Sequence, residues 1–298
     1  MTFSSGGRFE GGRVQTGSSS RGLSGGGMAV GGGLTGIVLV ALFVLLQGGS
    51  ASDVIQAVGG GGQPVQQAAG HIGDCTAEEA NTSRDCRLSA TVQALDAYWD
   101  PAMNNRGVVF VTPQVVSFSG STSTACGSAT SAVGPFYCPA DETIYIDLSF
   151  YDLLSSEFGT QDGPLAEEYI TAHEYGHHIQ HLLGTMSQVG RDTGATSGSV
   201  RLELQADCYA GMWAGHAATT VDPDTGVTFL DPITDEQLAN AQAAAQGVGD
   251  DRIQQGAGMS VNPDTWTHGS AKQREHWFMV GYQKGTLAAC DTFAVANP

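Results

Sequence analysis

The fold is decided by residues 172–178, which read AHEYGHH. Positions four apart lie on one face of an α-helix, so His173 and His177 can present two imidazole nitrogens to a single zinc ion. Glu174 then lies beside the open position of the metal, where it can take a proton from zinc-bound water and later give it to a leaving amine. The alternative is an amphipathic surface helix with a histidine cluster, since two further histidines follow within four residues.

A second motif, RLELQAD, occupies residues 201–207. A catalytic zinc site uses three protein ligands and keeps one position open, and Glu203 can complete a set of two histidines and one glutamate. Asp207 lies one helical turn further and can accept a hydrogen bond from the far nitrogen of a ligand histidine, which fixes its tautomer. The alternative is an exposed acidic helix face. Leu202 and Leu204 beside these carboxylates make full exposure less natural.

Other zinc geometries can be tested on the same stretch. Metzincins require Gly and His seven and ten positions after the first histidine. Those positions hold Gln180 and Leu183, so that class is excluded. The zincin class with a glutamate as third ligand fits.

A third motif, THGS, covers residues 267–270 and is followed by Arg274. An imidazolium or similar donor aimed at the negative charge of a tetrahedral intermediate would assist peptide hydrolysis. His268 is the candidate for this role, with Arg274 positioning it or closing an ion pair. The alternative is a helix N-cap region with a solvent-facing histidine.

The N-terminal quarter differs from the rest in composition. Residues 1–27 are mainly Gly, Ser and Arg and are predicted to be a disordered tail, and residues 48–72 a flexible linker. Between them, residues 28–47 are mostly apolar and long enough for a transmembrane helix. Arginines precede this segment and none closely follow, so the positive-inside rule predicts a cytoplasmic N-terminus and a domain on the other side of the cell membrane.

Two alternatives compete with this single-pass anchor. A secretory signal could be cleaved near residues 49–51, but the long tail and the weak cleavage site favour the anchor. A buried core helix is disfavoured because Gly-, Ser- and Gln-rich stretches flank the segment.

The cysteines fit an exported domain. Their number is even, and fifteen pairings are possible. We expect sequential pairing, because the first two pairs would close short polar loops. Structural zinc needs paired short cysteine spacings, which are absent. The expected disulfides are Cys75 with Cys86, Cys126 with Cys138, and Cys208 with Cys290.

Beyond residue 52 the chain carries 9 basic and 29 acidic side chains. Such a surface repels phosphate backbones, which argues against nucleic acid as a partner. The expected folded domain covers residues 73–298 and has a mixed α+β, zincin-like fold with an active-site helix, a second ligand-bearing helix and a small sheet. Its predicted helices are residues 87–99, 164–183, 198–219, a stretch starting near 234, and 270–284. Its predicted strands are residues 108–111, 115–118 and 143–148. The alternation that places Ile144, Ile146 and Leu148 on one face predicts that the last of these strands is half-buried.

Several stretches resemble a bacterial family of neutral zinc metallopeptidases. These are HEYGHH at 173–178, ELQADCYAGMWA at 203–214, THGSAKQREHWF at 267–278, and GPFYCPAD at 134–141 followed by IYID at 144–147. More distantly, they resemble membrane-bound gluzincins, which share a Glu-x-x-Ala-Asp ligand motif and a late His/Arg motif. The resemblance implies a peptidase and supports the roles given to the ligands, to Glu174 and to His268. It also implies that residues 143–148 form an edge strand that pairs with extended substrate backbone.

The sequence therefore predicts a membrane-anchored, extracytoplasmic zinc endopeptidase with one Zn²⁺ per chain and a peptide or protein substrate. A catalytically idle binding or scaffold domain at the cell surface, stabilised by zinc, is the main alternative. A zinc hydrolase acting on a non-peptide bond is another.

Overall fold

The computed structural model describes residues 2–17, 70–152, 163–190 and 192–298. The fold is mixed α+β, as predicted. The helices are α1 (Ala77–Thr82), α2 (Arg84–Asn104), α3 (Pro164–Leu182), α4 (Gly198–Ala217), α5 (Asp235–Gly247), α6 (Asp250–Gly256) and α7 (Ala271–Lys284). The strands are β1 (Arg8–Phe9), β2 (Gln15–Thr16), β3 (Gly70–His71), β4 (Cys75–Thr76), β5 (Gln114–Phe118), β6 (Ser121–Thr124), β7 (Gly127–Thr130), β8 (Phe136–Cys138) and β9 (Thr143–Asp147).

Helix α3 lies at the centre of the helical core, packed against α2, α4 and α5. It begins with Pro164, whose fixed φ and missing N–H suit the first helical turn. Nearly every side of α3 is covered, so its polar residues must find partners inside the protein. Helix α7 packs along α4 and begins with a capping box in which Ser270 and Gln273 bond each other's backbone N–H.

The main sheet has the strand order β3-β2-β5-β9-β8. Strands β2, β5 and β9 run parallel to one another, while β3 and β8 are antiparallel to their neighbours. Strands β8 and β9 both contact α3, so this side of the sheet lies next to that helix. Strand β8 is at the edge of the sheet next to β9.

Two predictions about strands were wrong. Residues 108–111 form no strand, and the first strand after α2 is β5. Strand β9 is buried on both faces rather than half-buried, because Ile144 and Ile146 face the main core while Tyr145 packs with a second apolar cluster. The side chains of this strand do alternate between the two faces of the sheet, but both faces are buried.

The prediction of a disordered tail was wrong for residues 2–17. Strand β1 pairs with β4, and β2 pairs with both β3 and β5. Phe3, Phe9 and Val14 are buried in the main core, and the hydroxyl of Thr2 donates to Glu168 Oε1 on α3 at 2.5 Å. These few apolar residues, spaced among Gly and Ser, are sufficient to dock the segment.

The predicted transmembrane segment, residues 28–47, lies outside the described residues. Among the residues that the structure describes, no helix has the length and apolar character needed to cross a membrane. Residues 2–17 share a sheet with residues 70–71 and 114–118, so both ends of the intervening chain lie in one folded unit. This arrangement conflicts with the predicted topology, because a single crossing would put the N-terminus and the domain on opposite sides.

The predicted disulfides are confirmed. Cys75 is bonded to Cys86, Cys126 to Cys138, and Cys208 to Cys290. The third bond joins α4 to the C-terminal segment across 82 positions of sequence. It therefore ties down the helix that carries Glu203 and Asp207.

Candidate metal and catalytic site

The close approach of α3 and α4 depends on a glycine. A Cβ atom on Gly176 would lie 3.0 Å from the backbone oxygen of Ala206 and 3.1 Å from its Cα. Gly176 lies between Glu174 and His177, and Ala206 lies between Glu203 and Asp207. The two helices thus make close contact at the level of their functional residues.

The structure brings His173, His177 and Glu203 together. The Nε2 atom of His173 is 3.2 Å from Glu203 Oε2, and the Nε2 atom of His177 is 3.5 Å from Glu203 Oε1. The three candidate ligand atoms lie within 4.8 Å of one another. His173 and Glu203 are buried, and the side chain of His177 is 12% exposed. Such a cluster of two imidazoles and one carboxylate could hold a metal ion.

His173 is held by a second carboxylate. Asp207 Oδ1 lies 2.8 Å from His173 Nδ1, on the side of the ring away from Glu203. Tyr169 donates its hydroxyl to the same Asp207 oxygen at 2.5 Å. Burial would raise the pKa of Asp207, but Arg274 and His173 lower it below the ordinary value, so Asp207 is ionised. The ionised carboxylate favours the tautomer of His173 that leaves Nε2 free to bind a metal.

His177 is held by an amide. Its Nδ1 lies 2.9 Å from Gln180 Oε1, one turn further along α3. The other end of the Gln180 amide donates to the Leu202 carbonyl at 2.7 Å, so Gln180 also joins α3 to α4. This arrangement leaves His177 Nε2 facing Glu203. Sequence analysis missed Gln180, although its i, i+3 spacing from His177 places it on the same helix face.

Arg274 pairs with Asp207. Its Nε and Nη2 atoms donate to the two carboxylate oxygens at 2.8 Å and 2.9 Å, and both residues are almost completely buried. A further donation reaches the Val248 carbonyl. The structure therefore supports the ion pair considered for Arg274 and not a direct role in positioning His268.

Glu174 lines the same cleft as the three candidate ligands. It is 7% exposed, and burial raises its pKa above the ordinary value, while His173 and His177 oppose that change. A carboxylate with a raised pKa is a stronger base than an ordinary carboxylate, which suits a residue that takes up a proton.

His268 also lines the cleft, on the loop before α7, and it is buried rather than solvent-facing. Asp250, at the start of α6, holds this loop. Its Oδ2 accepts the backbone N–H groups of Thr267, His268 and Gly269 at 2.8, 2.7 and 3.0 Å. Its Oδ1 is 3.2 Å from His268 Nδ1. Burial would lower the pKa of His268, but Asp250 and Glu203 raise it above the ordinary value. Sequence analysis missed Asp250, which lies 18 positions away and shares no helix with His268.

The histidine after His177 has a structural role. His178 Nε2 is 2.6 Å from the Val111 carbonyl, and its Nδ1 is 3.1 Å from the Tyr137 hydroxyl. Burial lowers the pKa of His178 to about 4, so the ring is neutral and accepts the Tyr137 proton at Nδ1. His178 thereby fixes edge strand β8 and the loop before β5 to α3.

Two imidazoles and a carboxylate on packed helices, with a buried glutamate beside them, form the kind of donor set that metallopeptidases use. The family model described as "Putative neutral zinc metallopeptidase" matches residues 5–293. The chain belongs to this family. Because the match begins before residue 17, the family model also includes the docked N-terminal segment.

Relatives occur in distant bacteria. Uncharacterized protein Rv2575 of Mycobacterium tuberculosis (strain H37Rv) is 49% identical over 223 residues, which cover 74% of this chain and 75% of that protein. Uncharacterized protein YpfJ of Escherichia coli (strain K12) is 43% identical over 201 residues, covering 65% of this chain and 66% of that protein. No solved structure matches the chain at a significant level.

Proposed function

We propose that the chain is a zinc endopeptidase of the gluzincin type, with one zinc ion held by His173, His177 and Glu203. The observation that carries the proposal is the convergence of both Nε2 atoms on the Glu203 carboxylate, with Glu174 in the same cleft. A site that serves stability alone does not need Glu174.

The residues present fit a zinc ion. The outer nitrogens of both histidines are engaged by Asp207 and Gln180, which leaves the inner nitrogens for the metal. A bound zinc ion supplies Lewis acidity, which polarises the scissile carbonyl and makes water more acidic.

The protein residues perform the proton transfers and stabilise charge. Glu174 accepts the proton of the attacking water on its carboxylate and passes it to the nitrogen of the departing amine. His268, whose Nδ1 faces Asp250, presents its Nε2–H to the oxygen that gains negative charge during attack. Arg274 compensates the charge of Asp207 and so keeps that carboxylate ionised beside His173.

The Glu174→Gln variant tests this assignment. Gln is nearly isosteric but cannot accept the proton, so the variant should bind about one equivalent of zinc while peptide hydrolysis falls by at least about 100-fold. Zinc content is measured by atomic emission and hydrolysis with a broad peptide library. Retained hydrolysis would refute Glu174 as the base. A wild-type protein that binds zinc, unfolds on chelation and cuts no peptide would instead support the catalytically idle domain.

The substrate backbone is proposed to align along β8. The prediction that residues 143–148 form an edge strand was wrong, because β9 lies between β5 and β8. Strand β8 is at the edge, and its residues Phe136 and Tyr137 line the cleft beside the candidate ligands. Strand β9 is paired on both sides, so proline at Ile144 or Ile146 would destabilise the fold and could not test substrate pairing.

An extracytoplasmic location is also proposed. Its support is the three disulfides, which persist in oxidising compartments. Membrane contact through residues 28–47 stays a prediction. The docked residues 2–17 require the N-terminus to accompany the domain. Labelling of a cysteine at Ser5, in intact cells, with a reagent that does not enter the cytoplasm tests this. Labelling only after lysis would contradict the proposed location.

A further inference from the structure

The cleft beside the candidate zinc ligands has mainly apolar walls. They come from the loop before β8, from β8 itself, from the segment after β9, from α3 and from the chain that follows α3. The apolar residues that matter most here are Val133, Pro135, Phe136, Phe150, Ile170 and Met186. These side chains line the same cleft as His173, His177 and Glu203, so a substrate bound at the candidate metal site would also meet them.

One wall is built tightly around Phe150. Gly134 has a φ of +75°, and a Cβ atom there would lie 3.1 Å from Cε2 of the Phe150 ring. Only glycine combines this backbone conformation with such close packing. Phe136 is fixed by stacking on Tyr145, with ring centroids 5.1 Å apart. The aromatic wall is therefore formed before substrate arrives, which reduces the entropy lost on binding.

The charged groups lining the cleft are already engaged. Arg274 is paired with Asp207, and His268 faces Asp250. Glu203 and Glu174 are assigned to the metal and to proton transfer. Among the described residues that line the cleft, none is left to pair with a charged substrate side chain. The net charge of the chain, -18, further disfavours acidic peptides.

We infer that the cleft selects peptides with a bulky apolar side chain, such as Leu or Phe, next to the scissile bond. The inference rests on the proposed peptidase function and names its substrate class. Such a side chain removes its own surface and that of Phe136, Phe150 and Ile170 from water, which lowers the energy of the bound transition state. A charged side chain in the same place would lose hydration without gaining a partner.

Two sets of blocked peptides test the selectivity of the zinc-loaded enzyme. In one set the residue before the scissile bond is Leu, Phe, Gly, Lys or Asp, and in the other the residue after it is varied. At one of the two positions, kcat/KM should be at least about 10-fold higher for Leu or Phe than for Gly, and lowest for Asp. Equal kcat/KM across both sets would overturn the inference and leave the peptidase function intact. If no peptide is cut, both proposals fail.

A variant locates the selectivity on the cleft wall. Phe150→Ala should reduce the Phe-over-Gly ratio of kcat/KM several-fold while zinc content stays the same. Phe293→Ala is the matched control, since Phe293 is 38% exposed and does not line the cleft. Binding of the same peptides to Glu174→Gln, followed by fluorescence polarisation, gives a readout independent of hydrolysis. A ratio that Phe150→Ala leaves unchanged would contradict the assignment of this wall.

Discussion

The cleft has two halves that are held in place by different means. The ligand half carries His173, His177 and Glu203, and the loop half carries His268. The candidate ligands stand on α3 and α4, helices of 19 and 20 residues, where helical register and the Gly176 contact determine their positions. His268 stands on a loop, and one carboxylate, Asp250, binds three consecutive backbone N–H groups of that loop. Residues on long packed helices are positioned by the fold itself, whereas a loop residue needs an anchor of its own.

The largest effect is expected at Glu203. Glu203→Gln should weaken zinc affinity by at least about 100-fold, because even residues that only support the ligands typically contribute 10–100-fold. Competition with a chelating dye measures this affinity. Glu236→Gln, on the exposed first turn of α5, is the control and should bind zinc as the wild type does. Unchanged affinity in Glu203→Gln would remove Glu203 from the ligand set.

Asp207→Asn probes the support of the ligand half. It should lower zinc affinity by about 10–100-fold, since His173 loses an ionised partner. It also leaves Arg274 buried without its counter-charge, which should reduce the free energy of unfolding by about 3–5 kcal/mol. Urea denaturation measures the second effect. A variant that loses stability but keeps full zinc affinity would show that Asp207 serves Arg274 alone.

Asp250→Asn probes the loop half, and its effects should leave the ligand half unchanged. Asn can still accept the loop N–H groups through its amide oxygen, but it cannot stabilise a charged His268. We expect kcat to fall by about 10-fold, a part of what a positioned acid–base residue supplies, with zinc affinity unchanged. Because Asp250 helps to raise the His268 pKa, the alkaline limb of the pH–rate profile should move to lower pH.

Asp235→Asn, in the exposed first turn of α5, is the matched control for Asp250→Asn and should leave the profile unchanged. An Asp250→Asn variant that loses zinc but keeps its pH profile would contradict the separation of the two halves.

The smallest effect is expected at Glu168, on α3 but facing the docked N-terminal segment. Burial raises its pKa to about 7 from 4.5. The folded state then binds a proton more tightly than the unfolded state, so this contribution to stability is present below pH 4.5 and is lost as pH rises through 7. In Glu168→Gln the free energy of unfolding should no longer fall over this pH range. The difference from wild type is up to about 3 kcal/mol, and kcat should not change.

Thermal unfolding of wild type and Glu168→Gln from pH 4.5 to 8 checks this prediction, with Glu236→Gln as the control. An identical pH dependence in wild type and Glu168→Gln would show that Glu168 titrates normally.

The ligand half was predictable from sequence because helical spacing converts positions into geometry. His173, Glu174 and His177 are close together on one helix, and α3 and α4 begin at the first residues of the predicted helices, Pro164 and Gly198. The spacing of Glu203 and Asp207 places both on one face of α4, where they can meet the histidines of α3. Two of the three disulfides could also be predicted from sequence, because their cysteines are close together in the chain.

What the sequence did not reveal depends on tertiary packing. Asp250 reaches His268 only because the chain folds back between α6 and α7, and no periodic pattern encodes that path. The docking of residues 2–17 rests on Phe3, Phe9 and Val14, too few apolar residues to be noticed among Gly and Ser. The edge position of β8 was hidden because strand order is not a property of local sequence.

The most direct test of the central claim is X-ray absorption spectroscopy at the zinc edge on the zinc-loaded protein. We expect a first shell of nitrogen and oxygen atoms at about 2.0–2.2 Å, with the outer-shell scattering of two imidazole rings. That signal should change in His177→Ala and remain in Glu174→Gln. A shell that contains sulfur at about 2.3 Å, or one without imidazole scattering, would contradict the site formed by His173, His177 and Glu203.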